Sequence, residues 1–193
     1  MFHAGQSMIV SMDKSFYRKL FSRPQKSDPK VIPPEADYGD ADVQFGRGLR
    51  FANGKGVVQD YAQAAEWYHK AAGQCHSLAQ FNLGMMYAHG QGVTRDAAQS
   101  EMWFGRAAQL GDAGAQFNLG ESCHRASLQG EGGDASESRI EAYKWYRLAA
   151  AQGYEDSETA YATLTLNMTR EDVATGNRRV AEFVVEKPKH PHE

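Results

Sequence analysis

Two Cys-His pairs, Cys75-His76 and Cys123-His124, are the side chains best suited to chemistry in this chain. Thiolate and imidazole are zinc ligands, and a closed zinc site takes four of them. Gly54-Lys55-Gly56 and Gly90-Gln91-Gly92 have the spacing of loops that cradle phosphate. Such loops must follow a strand and open a helix to work. Asp60 and Asp96 are isolated acids, and Trp67-Tyr68, Trp103-Phe104 and Trp145-Tyr146 are aromatic pairs able to stack on a ligand. Whether any of these meet depends on the elements that carry them.

Those elements repeat. Gln44-Phe45, Gly48, Ala52, Gly54-x-Gly56-Val57, Asp60, Trp67 and Ala71-Ala72 recur 36 residues on as Gln80-Phe81, Gly84, Ala88, Gly90-x-Gly92-Val93, Asp96, Trp103 and Ala107-Ala108. Gln116-Phe117-Asn118-Leu119-Gly120 begin a third copy at the same interval, whereas Trp145 and Ala149-Ala150 lie 42 residues after their counterparts. A fixed period of this length marks a solenoid. In each copy, apolar residues at i, i+4 and i+7, such as Phe45, Leu49 and Ala52, predict a first helix with one buried face. First helices are expected over about 41–52, 77–89 and 113–124, each followed by a Gly-x-Gly turn and a second helix.

This frame reassigns most of the candidate chemistry. The Gly-x-Gly turns follow helices, so they end them with φ > 0. Asp60, Asp96 and Ser138 stand three residues before Gln63, Gln99 and Glu141, the spacing of a capping box at the start of the second helix. The aromatic pairs are expected in the core between repeats. Gly48, Gly84 and Gly120 sit mid-helix, where glycine costs up to about 1 kcal/mol, so each must admit a neighbour too close for a Cβ; Ala71, Ala107 and Ala149 are the expected neighbours. Cys75 falls after a second helix and Cys123 late in a first helix two copies on. That separates them by roughly 15 Å along a helix axis and excludes both a shared metal and a disulfide. No metal or other cofactor is expected. The repeats contain no Ser-x-x-Lys motif for acylation chemistry.

The glycine, the Gly-x-Gly-Val turn, the Asp, the Trp and the Ala-Ala pair together resemble the Sel-1-like repeat, a relative of the tetratricopeptide repeat. The resemblance implies an all-α, right-handed α-α superhelix of three helix-pair repeats with a C-terminal capping pair. It also implies a non-catalytic adaptor that binds a protein or peptide segment on its concave face. In tetratricopeptide-like solenoids an Asn just before the Leu-Gly pair holds bound peptide. Asn82 and Asn118 occupy that position, the first copy has Gly46 there, and Met85, His89, Glu121 and Arg125 flank them. The alternatives are a β-lactam- or peptidoglycan-type hydrolase and a membrane-tethered adaptor.

The remainder of the chain frames this solenoid. At 193 residues and a net charge of −3, it is long enough to bury a core and not basic enough for bulk nucleic-acid binding. Residues 1–38 are expected to form an arm without an export signal, so a cytoplasmic location is expected, with periplasmic or membrane-associated locations as alternatives. Within the arm, residues 14–23 could form a short basic amphipathic helix able to touch a membrane surface, and four prolines follow. Repeats are expected over about 40–75, 76–111 and 112–153. In the third copy, either the first helix runs longer or residues 125–136 protrude as a loop. A cap is expected over 154–185, with a capping box at Thr169–Asp172 and an apolar face of Val173, Val180, Phe183 and Val184. Residues 186–193 form a tail. The sequence does not set the oligomeric state.

Overall fold

The computed structural model describes residues 39–130 and 135–185, and every regular element among them is helical. The helices are α1 (Ala41–Asn53), α2 (Tyr61–Gly73), α3 (Ser77–His89), α4 (Ala97–Gln109), α5 (Ala113–Gln129), α6 (Ala135–Ala151), α7 (Ser157–Thr165) and α8 (Arg170–Glu182). From α1 to α7 each helix packs on the next, and α6 carries both α7 and α8. The chain is therefore an all-α helical repeat with α1, α3 and α5 as first helices and α2, α4 and α6 as second helices. The basic segment 14–23, Gly132 of the third Gly-x-Gly and the tail lie outside the described residues.

Local chemistry sets the helix boundaries. Gly54 and Gly90 end α1 and α3 at φ +65° and +69°, a left-handed backbone that costs glycine little. Asp60 and Asp96 cap α2 and α4 by accepting from the Gln63 and Gln99 amides at 3.0 and 3.1 Å. The reciprocal arm of the capping box is not used at either place. The Asp60 and Asp96 amides donate instead to the carbonyls of Phe51 and Tyr87, both at 3.0 Å, tying each second helix to the end of the first. Among the described residues the full box forms only at Thr169 and Asp172. Ser138 is no cap, because α6 already begins at Ala135 and takes Ser138 into its first turn. In the third copy α5 continues to Gln129, so its extra length is helix up to Gly130.

Inside each hairpin an aromatic ring lies against the backbone of a glycine. An ideal Cβ on Gly48 would stand 2.5 Å from ring carbons of Tyr68, and one on Gly84 or Gly120 would stand 2.6 Å from Phe104 or Tyr146. The expected alanine neighbours are thus replaced by rings from the facing helix. Ala71, Ala107 and Ala149 are wholly buried for another reason: their carbonyls accept the amides of His76, Asp112 and Tyr154, closing the turn into the next helix. The first-helix phenylalanines complete the pattern. Phe45–Tyr68, Phe81–Phe104 and Phe117–Tyr146 have centroids 5.7, 5.7 and 5.5 Å apart.

The tryptophans divide from their partners. Tyr68, Phe104 and Tyr146 are all core, but Trp67 and Trp145 are only half-buried, and Trp103 alone is buried. Lys70, Arg106 and Lys144 lie over the three indoles at 4.1, 4.9 and 4.1 Å from the ring centroids. Each indole is therefore covered by a cation, a contact worth about 0.5–1 kcal/mol where exposed.

Buried glutamines join one repeat to the next. Gln80 and Gln116 donate to the carbonyls of Ala72 and Ala108 at 3.1 and 3.2 Å, satisfying the end of the preceding second helix. Their own oxygens depend on the residue after the following second helix. Gln74 donates to Gln44 Oε1 at 3.0 Å and Gln152 to Gln116 Oε1 at 2.9 Å. The second copy has Leu110 at that position, and Gln80 Oε1 is left without a partner among the described residues.

At the C-terminal end Ala162, which takes the register position of the earlier glycines, is exposed. Gly176 of α8 takes over their part and admits the ring of Tyr143 from α6. Polar contacts secure the same interface. Arg179 bridges Glu137 and Glu141 at 2.7 and 2.5 Å, and Tyr143 donates to Asn177 at 2.9 Å. The apolar face of α8 ends at Phe183, edge-on to Trp145 at 5.6 Å; Val184 is 80% exposed and does not belong to it.

Two outcomes test this account. Gly84→Ala should cost about 2 kcal/mol in urea unfolding despite the better helix propensity of alanine, and Phe104→Leu in the same chain should recover part of the loss. Gln152→Leu should cost about 1 kcal/mol by orphaning Gln116 Oε1, whereas Leu110→Gln should gain up to about 1 kcal/mol by satisfying Gln80.

Candidate partner-binding face

The six residues expected to meet a partner sit on α3 and α5, first helices of consecutive repeats that also touch each other. Their environments differ. Asn82 and Asn118 are half-buried, His89, Glu121 and Arg125 are exposed, and Met85 is only 5% exposed. Met85 is packed into the core and presents no open apolar surface, because its position is one of the buried-face marks of α3. The other five remain on the accessible side of the first-helix row.

The two asparagines are not equivalent. Asn118 donates from Nδ2 to the Gly114 carbonyl at 2.8 Å, one turn back on its own helix. That bond orients the amide and uses one of its two hydrogens. Asn82 instead approaches the hydroxyl of Tyr68, whose acidity burial lowers far beyond the ordinary phenol range, with Asn82 acting in the opposite direction. The approach falls short of a well-formed bond, so the Tyr68 hydroxyl is a buried donor without a proper partner among the described residues. In the third repeat the corresponding hydroxyl is satisfied: Tyr146 donates to Glu121 Oε1 at 2.5 Å. Burial, and then that carboxylate, hold the Tyr146 proton on.

On this face the His89 imidazole is made less basic by partial burial and by Arg95. The reactive candidates point away from nucleophilic chemistry. Burial, with Glu141 and Glu101 nearby, pushes the Cys123 thiol up to about 11, where the thiolate is scarce at neutral pH. Cys75 is exposed in the turn between α2 and α3, while Cys123 lies within α5. Among the described residues no group of three or more His, Cys, Asp or Glu side chains is close enough to hold a metal ion. Ser-x-x-Lys spacings do occur in the chain, at Ser11 and Lys14 and at Ser27 and Lys30, outside the repeats and outside the described residues.

His76 has a part that motif reading missed. Its Nδ1 accepts the Ala79 amide at 3.2 Å, which makes it the N-cap of α3. The signal was the 36-residue register: Asp40, His76 and Asp112 stand at equivalent positions and cap α1, α3 and α5.

The Sel1 repeat profile matches residues 41–74, 77–112 and 113–154, more than half of the chain and the same three hairpins. The chain belongs to the Sel1 repeat family. Two solved structures share its fold. One is a protective antigen present in uropathogenic Escherichia coli strains and displaying an SLR fold; it is 36% identical with a TM-score of 0.58 over 73% of this chain. This chain spans 30% of that protein's length. The other is a Sel1 repeat protein from Oxalobacter formigenes, 38% identical with a TM-score of 0.55, covering 65% of this chain and 90% of that one. No curated protein matches. Sel1 repeat proteins are generally non-catalytic scaffolds for protein interactions. No helix among the described residues is long and apolar enough to cross a membrane.

Because Phe104 already fills the ring position of the second repeat without a hydroxyl, Tyr146→Phe should preserve the third Sel1 hairpin. The expected loss is about 1 kcal/mol in chemical denaturation, reflecting one hydrogen bond to a carboxylate. A loss of 3 kcal/mol or more would mean that the hydroxyl, rather than the ring against Gly120, holds the hairpin.

Proposed function

We propose that this Sel1 repeat chain is a non-catalytic scaffold that binds an extended peptide or protein segment along its first-helix row. The observation carrying this reading is the pair Asn82 and Asn118, in register on two touching helices and half-exposed. An amide side chain offers both donor and acceptor to a backbone, so two such amides can hold an extended segment without regard to its side chains. Glu121, Arg125 and His89 border the asparagines and would select among segments by charge. Rigid helices carry all five, which limits the ordering cost of binding.

Peptides selected for binding from a displayed random library provide the test. Changing both Asn82 and Asn118 to Ala should weaken their affinity by about tenfold or more, since two hydrogen bonds of about 1 kcal/mol each would be lost. Circular dichroism should show the helical content unchanged. Undiminished affinity in the folded double variant would remove the binding site from this face.

A further inference from the structure

The turn between the first and second repeats holds an imidazole where the other two first helices begin with aspartate. His76 engages three groups at once. Nδ1 accepts the Ala79 amide at 3.2 Å, Nε2 stands 3.1 Å from Asp42 Oδ1, and the ring stacks on Phe45 with centroids 4.4 Å apart. Its backbone amide donates to Ala71 at the end of α2. One residue thus joins α1, α2 and α3, that is, the first hairpin and the start of the second repeat.

These contacts select a protonation state. To accept from Ala79, Nδ1 must keep its lone pair; to pair with Asp42, Nε2 must carry the hydrogen. Only the neutral Nε2–H tautomer does both. A second proton has to go to Nδ1, which faces an N–H donor at the positive end of a helix. We propose that His76 is an acid-sensitive clamp between the first and second Sel1 repeats, closed when the imidazole is neutral and loosened when it is protonated.

The surrounding charges compete. The ionisable groups acting on the ring are Asp42 of α1 and, more weakly, the α1 cap Asp40; α3 faces it with the Ala79 amide. Burial disfavours the charged ring and outweighs the two aspartates, so the folded protein takes up the proton less readily than the unfolded chain. The clamp therefore contributes fully above the ordinary histidine value of about 6.5. Its contribution is lost as pH falls from there through the lower folded-state value. Asp112 caps α5 with a carboxylate in place of an imidazole, at 2.8 Å from the Ala115 amide.

Asp112 makes the third repeat an internal control. In amide hydrogen exchange corrected for intrinsic rates, protection at Ala79 should fall relative to Ala115 by more than about threefold between about pH 7.5 and 5.5. In His76→Asn, which keeps a cap but cannot titrate, the ratio should not change with pH. Ring 15N shifts of the unaltered protein should show the Nε2–H tautomer at neutral pH and a midpoint below about 6.5. Equal pH responses at Ala79 and Ala115, an Nδ1–H tautomer, or a midpoint above 6.5 would overturn the proposal. The ring shifts decide it even if the Asn variant does not fold.

Discussion

The contact on which the rest of this chain depends is a flat aromatic ring resting on bare helix backbone. Gly48, Gly84 and Gly120 each give up roughly 1 kcal/mol of helix propensity. In return Tyr68, Phe104 and Tyr146 approach closer than any side chain on the facing helix would allow. That distance sets the spacing of the two helices in every hairpin. It also brings the first-helix phenylalanines within 5.7 Å or less of the same rings, so each hairpin has a small aromatic core of its own.

Between hairpins the joining chemistry is polar and local. The ends of α2 and α4 meet the glutamine and the cap that begin the next repeat, so carbonyls that a lone helix leaves to water are taken up within the protein. Apolar burial sets how strongly the repeats adhere, and these directed bonds set their register. The cap helix α8 combines both means: Gly176 against Tyr143 for close approach, and Arg179 with Glu137 and Glu141 for orientation.

Much of this was legible because the repeat reports the same requirement three times. The glycines at 48, 84 and 120, the left-handed turns at 54 and 90, and the caps at Asp60 and Asp96 could all be read from register alone. The misreadings fell where register says that a residue matters but not what it touches. An alanine and a ring are equally periodic, so the neighbours of the glycines were misassigned. Ser138 kept the cap spacing after a length change had moved the helix start to Ala135. His76 differs in type from Asp40 and Asp112, and read as half of a Cys-His pair it suggested a ligand and concealed a cap.

On the partner-binding face the division runs through individual residues. Asn82 and Asn118 follow from period and resemblance, because their place on the helix is a matter of counting. Counting already set Met85 on the buried-face spacing of α3, at odds with its expected partner contact, but could not show that Tyr146 donates to Glu121 or that Asn118 spends one hydrogen on its own helix. The sequence by itself determined helix type, repeat length and family, because these depend on residues close along the chain and recurring in phase. Only the tertiary structure decided which side chain fills each glycine gap and which polar groups stay exposed, because those outcomes depend on the distance between helices, set by atoms about twenty residues apart in sequence.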